Sequence, residues 1–190
     1  MKNIAIFVSG NGTNCENIIN YFKDSKEIHV SVVVSNRKDA YALVRAENHG
    51  VPALVMTKKD FADEQKIMSL MKEYEIDYII LAGFLLMVPE YLINAYDHKI
   101  INIHPALLPK FGGKGMYGMH VHEAVKAAGE TETGITVHYV SAVCDGGDII
   151  SQFKTSLTPD DTADDIAAKI HVLEQAHFPQ VIEQAIRADR

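Results

Sequence analysis

Cysteine is scarce: the 190 residues hold two, Cys15 and Cys144, which make no disulfide framework. That suits a reducing compartment, and a cytoplasmic location is expected. Long apolar runs are missing as well; none approaches the roughly 20 residues of a membrane span, so no membrane partner is expected. Met1-Lys2-Asn3 leads directly into an apolar strand, without the layout of a secretory signal. Basic charge is in deficit, with 18 Lys and Arg against 25 Asp and Glu and a formal net charge of −7. Such a balance argues against extensive contact with a phosphate backbone and removes nucleic acid from the expected partners. There is no internal repeat and no low-complexity segment. What is present is ordinary for a globular protein, 47% hydrophobic and 23% charged residues. The length accommodates one domain with a full hydrophobic core.

The stretch Ile100-Ile101-Asn102-Ile103-His104-Pro105 organises the rest. Ile100 to Ile103 reads as a short buried strand, β-branched apart from one amide. Side chains alternate along a strand, so Asn102 and His104 face the same way, roughly 6–7 Å apart. Pro105 removes a backbone donor and keeps His104 extended, which ends the strand. An amide inside an apolar run costs stability unless it is paired. Each residue alone reads as a satisfied core polar group; the two together, at a strand end, point to a site.

Ile4 to Val8 is a continuous apolar run, as expected for a strand covered on both faces. Ser9-Gly10-Asn11-Gly12-Thr13-Asn14 follows and feeds a helix. Thr13 and Glu16 stand at capping-box spacing, which places the helix start at Thr13. A glycine-rich turn at a helix N-terminus gathers N–H groups at a positive dipole end and favours a phosphate. It lacks the third glycine of the dinucleotide fingerprint and the Gly-Lys-Ser/Thr of a Walker loop. A plain strand-to-helix turn is the other reading.

Further strands are expected at Val30–Val34, Pro52–Met56 and Tyr78–Ala82, with helices at Asp39–Asn48, Phe61–Tyr74 and Glu90–Tyr96. The apolar loop Gly83–Val88 either folds back as core or lines a ligand slot. Alternating strands and helices indicate an α/β fold, a doubly wound and mostly parallel sheet with helices on both faces. In such sheets ligands lie beyond the carboxyl ends of strands, where the winding reverses. The glycine-rich turn, the apolar loop and the Asn/His pair all occupy such ends, which implies one composite pocket. Met119–Ala128 is expected as a helix on which His120 and His122 point to different sides. An extended turn there would put them on one face and make a zinc site conceivable, but without acidic or thiol ligands at fixed spacing no metal is expected. Gly134–Val140 alternates as a strand with Thr136 and His138 on one face. Cys144-Asp145-Gly146-Gly147-Asp148 is either a hairpin with Asp caps or a loop presenting one carboxylate to the pocket. Ile149–Phe153 forms another strand. Thr162 and Asp165 open a long helix with Ile166, Ile170, Leu173 and His177 inward, which Pro179 bends or interrupts.

With these residues in place the sequence resembles the folate-dependent formyltransferases. Ser9-Gly-Asn-Gly-Thr-Asn14, Leu81-Ala-Gly-Phe84, Asn102-Ile-His-Pro-Ala-Leu-Leu-Pro109, Thr136-Val-His138 and Asp145-Gly-Gly147 occur in the family's order over nearly the whole chain. The resemblance implies a single Rossmann-like formyltransferase domain over 1–190 with two halves. The phosphate-binding half covers about 1–100, and the half with catalytic and folate-site residues about 101–190. It implies catalytic Asn102, His104 and Asp145, with His138 in support. Substrate phosphate would be held by Gly10, Asn11, Gly12, Thr13 and Asn14, and ribose by Glu174. The folate pterin would lie between Leu85, Leu86, Met87 and Val88 on one side and Val140 and Cys144 on the other. The implied co-substrate is 10-formyltetrahydrofolate, the implied acceptor the amine of glycinamide ribonucleotide in purine synthesis, and no metal takes part. Both partners are small molecules, bound by a monomer or homodimer.

The chemistry suits these residue types. Attack of the amine on the formyl carbon develops an oxyanion, which Asn102 and a protonated His104 can meet as donors. Asp145 can relay protons through water. Cys144 reads as a small loop side chain or, less simply, as a thiol nucleophile. Two other family members share the pattern. A methionyl-tRNA formyltransferase is expected to add an RNA-binding domain, and a formyltetrahydrofolate hydrolase an N-terminal regulatory module. Outside the family, a non-catalytic phospho-sugar binding module would use the glycine-rich turn alone.

Overall fold

The computed structural model describes residues 1–189. Seven strands form one sheet in the order β3-β2-β1-β4-β5-β6-β7. The chain divides into two compact units, Met1–Ile101 and Asn102–Arg190.

In the first unit, β1 (Lys2–Val8) runs parallel to β2 (Ile28–Ser35) and to β4 (Tyr78–Leu81), and β2 runs parallel to β3 (Ala53–Val55). Ile4 to Val8 are all buried, which is why this strand reads as an unbroken apolar run. The winding reverses at β1, whose neighbours are β2 on one side and β4 on the other. The turns after β1 and β4 therefore flank the switch point where doubly wound sheets bind ligands.

Helix α1 (Thr13–Phe22) buries Cys15, Ile18, Ile19 and Phe22. It starts where expected, but the expected capping box does not form. Gly12 is the N-cap, in the left-handed region at φ 80°, with no side chain capping the helix. Thr13 is already inside the first turn, and Glu16 turns to Arg45 and His49 instead. Helix α2 (Tyr41–Asn48) ends before Gly50, at φ 73°.

The expected single helix Phe61–Tyr74 is two: α3 (Lys58–Phe61) and α4 (Glu64–Glu73). Thr57 and Asp60 form a full capping box, and the Asp63 side chain accepts from Lys66 N–H at a second helix start. Two N-caps six residues apart leave no room for a continuous helix. Ile67, Leu70 and Met71 are buried as expected. In the loop after β4 the core reading holds for part of the segment. Phe84 folds back onto Phe7 and Phe61, with ring centroids 5.4 and 5.3 Å away, and Val88 is buried. Leu85 and Met87 stay 54% and 65% exposed. Helix α5 (Glu90–Ala95) leads to β5 (Ile100–His104), which begins in this unit.

In the second unit, α6 (Met119–Ala127) precedes an antiparallel pair, β6 (Glu132–Tyr139) and β7 (Ile149–Ser156). A Cβ on Gly134 would run into the carbonyl of Phe153 on β7, so this crossing needs glycine. Helix α7 (Ala163–Ala188) opens with the expected Thr162–Asp165 capping box. Pro179 neither ends nor interrupts it. Phe178, Pro179, Val181, Ile182, Ala185 and Ile186 are buried, and burial of that stripe outweighs the hydrogen bond that proline removes. Leu173 and His177 are half-buried rather than inward, and His177 stacks on Phe153 at 3.8 Å.

Candidate functional site

The second unit brings Asn102, His104, His138 and Asp145 together. Asn102 and His104 share a face of β5; His104 is 3% exposed and Asn102 half-buried. On β6, His138 is 2% exposed, and its Nδ1 lies 2.9 Å from the carbonyl of Tyr139. Nδ1 therefore carries the proton, and Nε2 accepts from Asn102 Nδ2 at 3.1 Å. That bond orients the Asn102 amide and leaves its second N–H for a ligand. Burial pushes the His138 imidazole below the usual histidine range, which keeps Nε2 an acceptor.

Asp145 comes from the segment between β6 and β7. It adopts φ 54°, a conformation that aspartate tolerates better than most residues. A Cβ on neighbouring Gly147 would collide with the Tyr139 carbonyl, so this segment folds tightly onto the end of β6. The result presents a carboxylate, the second of the two sequence readings. Oδ2 lies 3.6 Å from His104 Nδ1 and accepts from Gly113 N–H at 2.9 Å. Oδ1 lies 3.8 Å from His138 Nε2. His104 Nε2 is 2.7 Å from the carbonyl of Phe111. Both His104 nitrogens thus face oxygen atoms, the Phe111 carbonyl on one side and the Asp145 carboxylate on the other.

The segment after Pro105 is fastened from beneath by Thr136. Its hydroxyl donates to Ala106 O at 2.7 Å and accepts from Leu108 N–H and Gln152 Nε2, each at 3.0 Å. Gln152 also donates to Leu108 O at 3.0 Å. Sequence reasoning placed Thr136 and His138 on one face but gave Gln152 no role. Its place opposite Thr136 in the β6–β7 register was the available signal. Phe111 O and Gly113 N–H were also missed, because backbone groups leave no mark in residue identity.

Gly10 and Asn11 are exposed, and Gly12, Thr13 and Asn14 half-buried, in the turn between β1 and α1 of the first unit. Leu85 and Met87 are exposed, Leu86 half-buried and Val88 buried, in the same unit. Val140 is half-buried, and exposed Cys144 has its Sγ 3.8 Å from Asp145 Oδ2. Burial and the Asp145 charge push the Cys144 thiol up, away from a reactive thiolate. Glu174 is half-buried on α7. His120 is exposed and His122 buried. Among the described residues no group of three or more His, Cys, Asp or Glu side chains is placed to hold a metal ion. None of their helices is long and apolar enough to cross a membrane.

Two buried histidines facing a carboxylate, with a half-buried amide bonded to one of them, in an α/β fold, are the residue types of a group-transfer enzyme. The family model described as formyl transferase matches residues 2–182, and the chain belongs to that family. It is similar to the phosphoribosylglycinamide formyltransferase of Bacillus subtilis, 37% identical over 98% of this chain and 95% of that protein. The chloroplastic phosphoribosylglycinamide formyltransferase of Vigna unguiculata is 37% identical over 96% of this chain. The chain spans 60% of that plant protein's length and 64% of its Arabidopsis thaliana counterpart's. The crystal structure of phosphoribosylglycinamide formyltransferase from Bacillus halodurans superposes with a TM-score of 0.89 at 32% identity, covering 100% of this chain and 97% of that one.

Proposed function

We propose that this chain transfers the formyl group of 10-formyltetrahydrofolate to the amine of glycinamide ribonucleotide, a step of purine biosynthesis. The observation that carries the reading is the cluster in which His104 and His138 face Asp145 and Asn102 bonds His138, in a member of the formyl transferase family. The amine attacks the formyl carbon, and negative charge gathers on the formyl oxygen. Asn102, its amide aimed by His138, supplies one N–H to that oxygen. The His104 Nε2–H supplies the other, which requires the formyl oxygen to take over the position now held by Phe111 O. Asp145 faces His104 Nδ1 and passes the amine's proton through water toward the leaving folate nitrogen.

The turn Gly10–Asn14 holds the substrate phosphate at the start of α1, and Glu174 takes the ribose. Leu85, Leu86, Met87 and Val88 receive the pterin, and the exposure of Leu85 and Met87 supports an apolar ligand. The reaction takes place in the cytoplasm, with one or two copies of the chain as the working unit.

Release of tetrahydrofolate from 10-formyltetrahydrofolate, followed with and without glycinamide ribonucleotide, tests the proposal. Release is expected only when the amine is present. Equal release without it would make the chain a hydrolase; binding of the ribonucleotide with no release at all would leave only a phospho-sugar binding module.

A further inference from the structure

Helix α2 forms the bed of the glycine-rich turn. Ala42 N–H donates to Gly10 O at 3.1 Å, and Arg45 Nε donates to Asn11 O at 2.7 Å. A Cβ on Gly12 would strike Ala42, so the turn lies directly against this helix. A trans peptide unit points its C=O and its N–H in opposite directions. Drawing the carbonyls of Gly10 and Asn11 toward α2 therefore turns the N–H groups of Asn11 and Gly12 the other way. Two consecutive N–H groups facing outward, with their carbonyls tied behind, make an anion-binding concavity.

The second half of the Arg45 guanidinium does a different job. Nη1 pairs with the Glu16 carboxylate, and Nη2 lies 3.3 Å from Asn11 Oδ1. Glu16 stands in the first turn of α1, where a bare carboxylate would compete with a bound phosphate for the helix dipole. Arg45, with His49 at 3.4 Å, holds that carboxyl below its usual range and turns its charge toward α2.

We propose that Arg45 is a positioning residue for the phosphate of the ribonucleotide, fixing the Asn11–Gly12 peptide plane so that its N–H faces the anion. The inference rests on the phosphate-cradle reading of Gly10–Asn14.

The test uses Arg45→Met, which keeps length and apolar stem but removes every donor. KM for glycinamide ribonucleotide should rise between about tenfold and a hundredfold, the usual range for one charge-assisted hydrogen bond. kcat and KM for 10-formyltetrahydrofolate should stay within about twofold, because the second-unit cluster is untouched. Binding of the ribonucleotide is then compared with that of the phosphate-free riboside. In the parent protein the phosphate should strengthen binding strongly, and in Arg45→Met that advantage should collapse while riboside affinity holds. A riboside that binds the parent protein as well as the ribonucleotide does would sink the cradle reading itself. A phosphate advantage that survives in Arg45→Met would overturn only the role of Arg45. The double variant Glu16→Gln/Arg45→Met separates orientation from charge balance: orientation predicts that the defect persists, and full recovery would refute it. Arg45→Lys, with a single point donor, should restore part of the lost affinity.

Discussion

Replacing Asp145 by asparagine isolates what the carboxylate contributes. The side chain keeps its shape, and its carbonyl oxygen can still accept from Gly113 N–H, the 2.9 Å bond that ties Asp145 to the Phe111–Gly118 loop. What disappears is the negative charge 3.6 Å from His104 Nδ1 and 3.8 Å from His138 Nε2. The Asp145 side chain is only 13% exposed, but asparagine is neutral and isosteric and keeps the Gly113 bond, so the fold should persist. A positioned proton-transfer group is worth about 10²–10⁴ in rate, which sets the expected fall in kcat. Ribonucleotide affinity should stay within about twofold, since no phosphate or ribose contact is assigned to Asp145. Stopped-flow measurement of tetrahydrofolate formation, with calorimetric titration of the ribonucleotide, separates the two. A parallel loss of rate and affinity would show that Asp145 shapes a binding surface and moves no proton.

Other expectations follow from the same geometry. Asn102→Ala should lower kcat by about 10²–10³, the usual cost of one oxyanion donor, with folate affinity retained; a change confined to KM would remove Asn102 from the transition state. Thr136→Val leaves Leu108 N–H without its acceptor and Gln152 without one of two, and should cost about 1–3 kcal/mol in denaturant unfolding; an unchanged midpoint would refute the anchor. Burial lowers the pKa of both His122 and His138 from 6.5, so the unfolded chain binds protons more readily than the folded one. Stability therefore rises with pH across the window just below 6.5 and is lost on acidification through it. His122→Gln should flatten that slope in melts at a series of pH values, and an unchanged slope would contradict it.

Much of the fold was legible because its strands obey simple patterns. Ile4–Val8 and Tyr78–Leu81 are buried on both faces and read as unbroken apolar runs. Asn102 and His104 were visible because alternation along β5 puts them on one face. The errors share one cause, competition that a local pattern does not reveal. Thr13 and Glu16 have capping-box spacing, but Arg45, 29 residues beyond Glu16, takes the carboxylate. The helix expected from Phe61 breaks because Thr57 and Asp63 both act as N-caps, and the apolar period runs on through the break. Pro179 signals a bend or an interruption, and the buried stripe from Phe178 to Ile186 carries α7 past it without a break. Within the candidate site, side chains were legible and their backbone partners were not. The carbonyls of Phe111 and Tyr139 and the N–H of Gly113 bond His104, His138 and Asp145 respectively, and no residue type announces them.

The account stands or falls on where the reacting carbonyl sits. A crystal structure with glycinamide ribonucleotide and an unreactive carbonyl analogue of the formyl folate would measure it directly. The carbonyl oxygen should lie about 3 Å from both Asn102 Nδ2 and His104 Nε2, with Phe111 O displaced from the ring. An oxygen beyond hydrogen-bonding reach of both donors, with His104 still bound to Phe111, would contradict the mechanism.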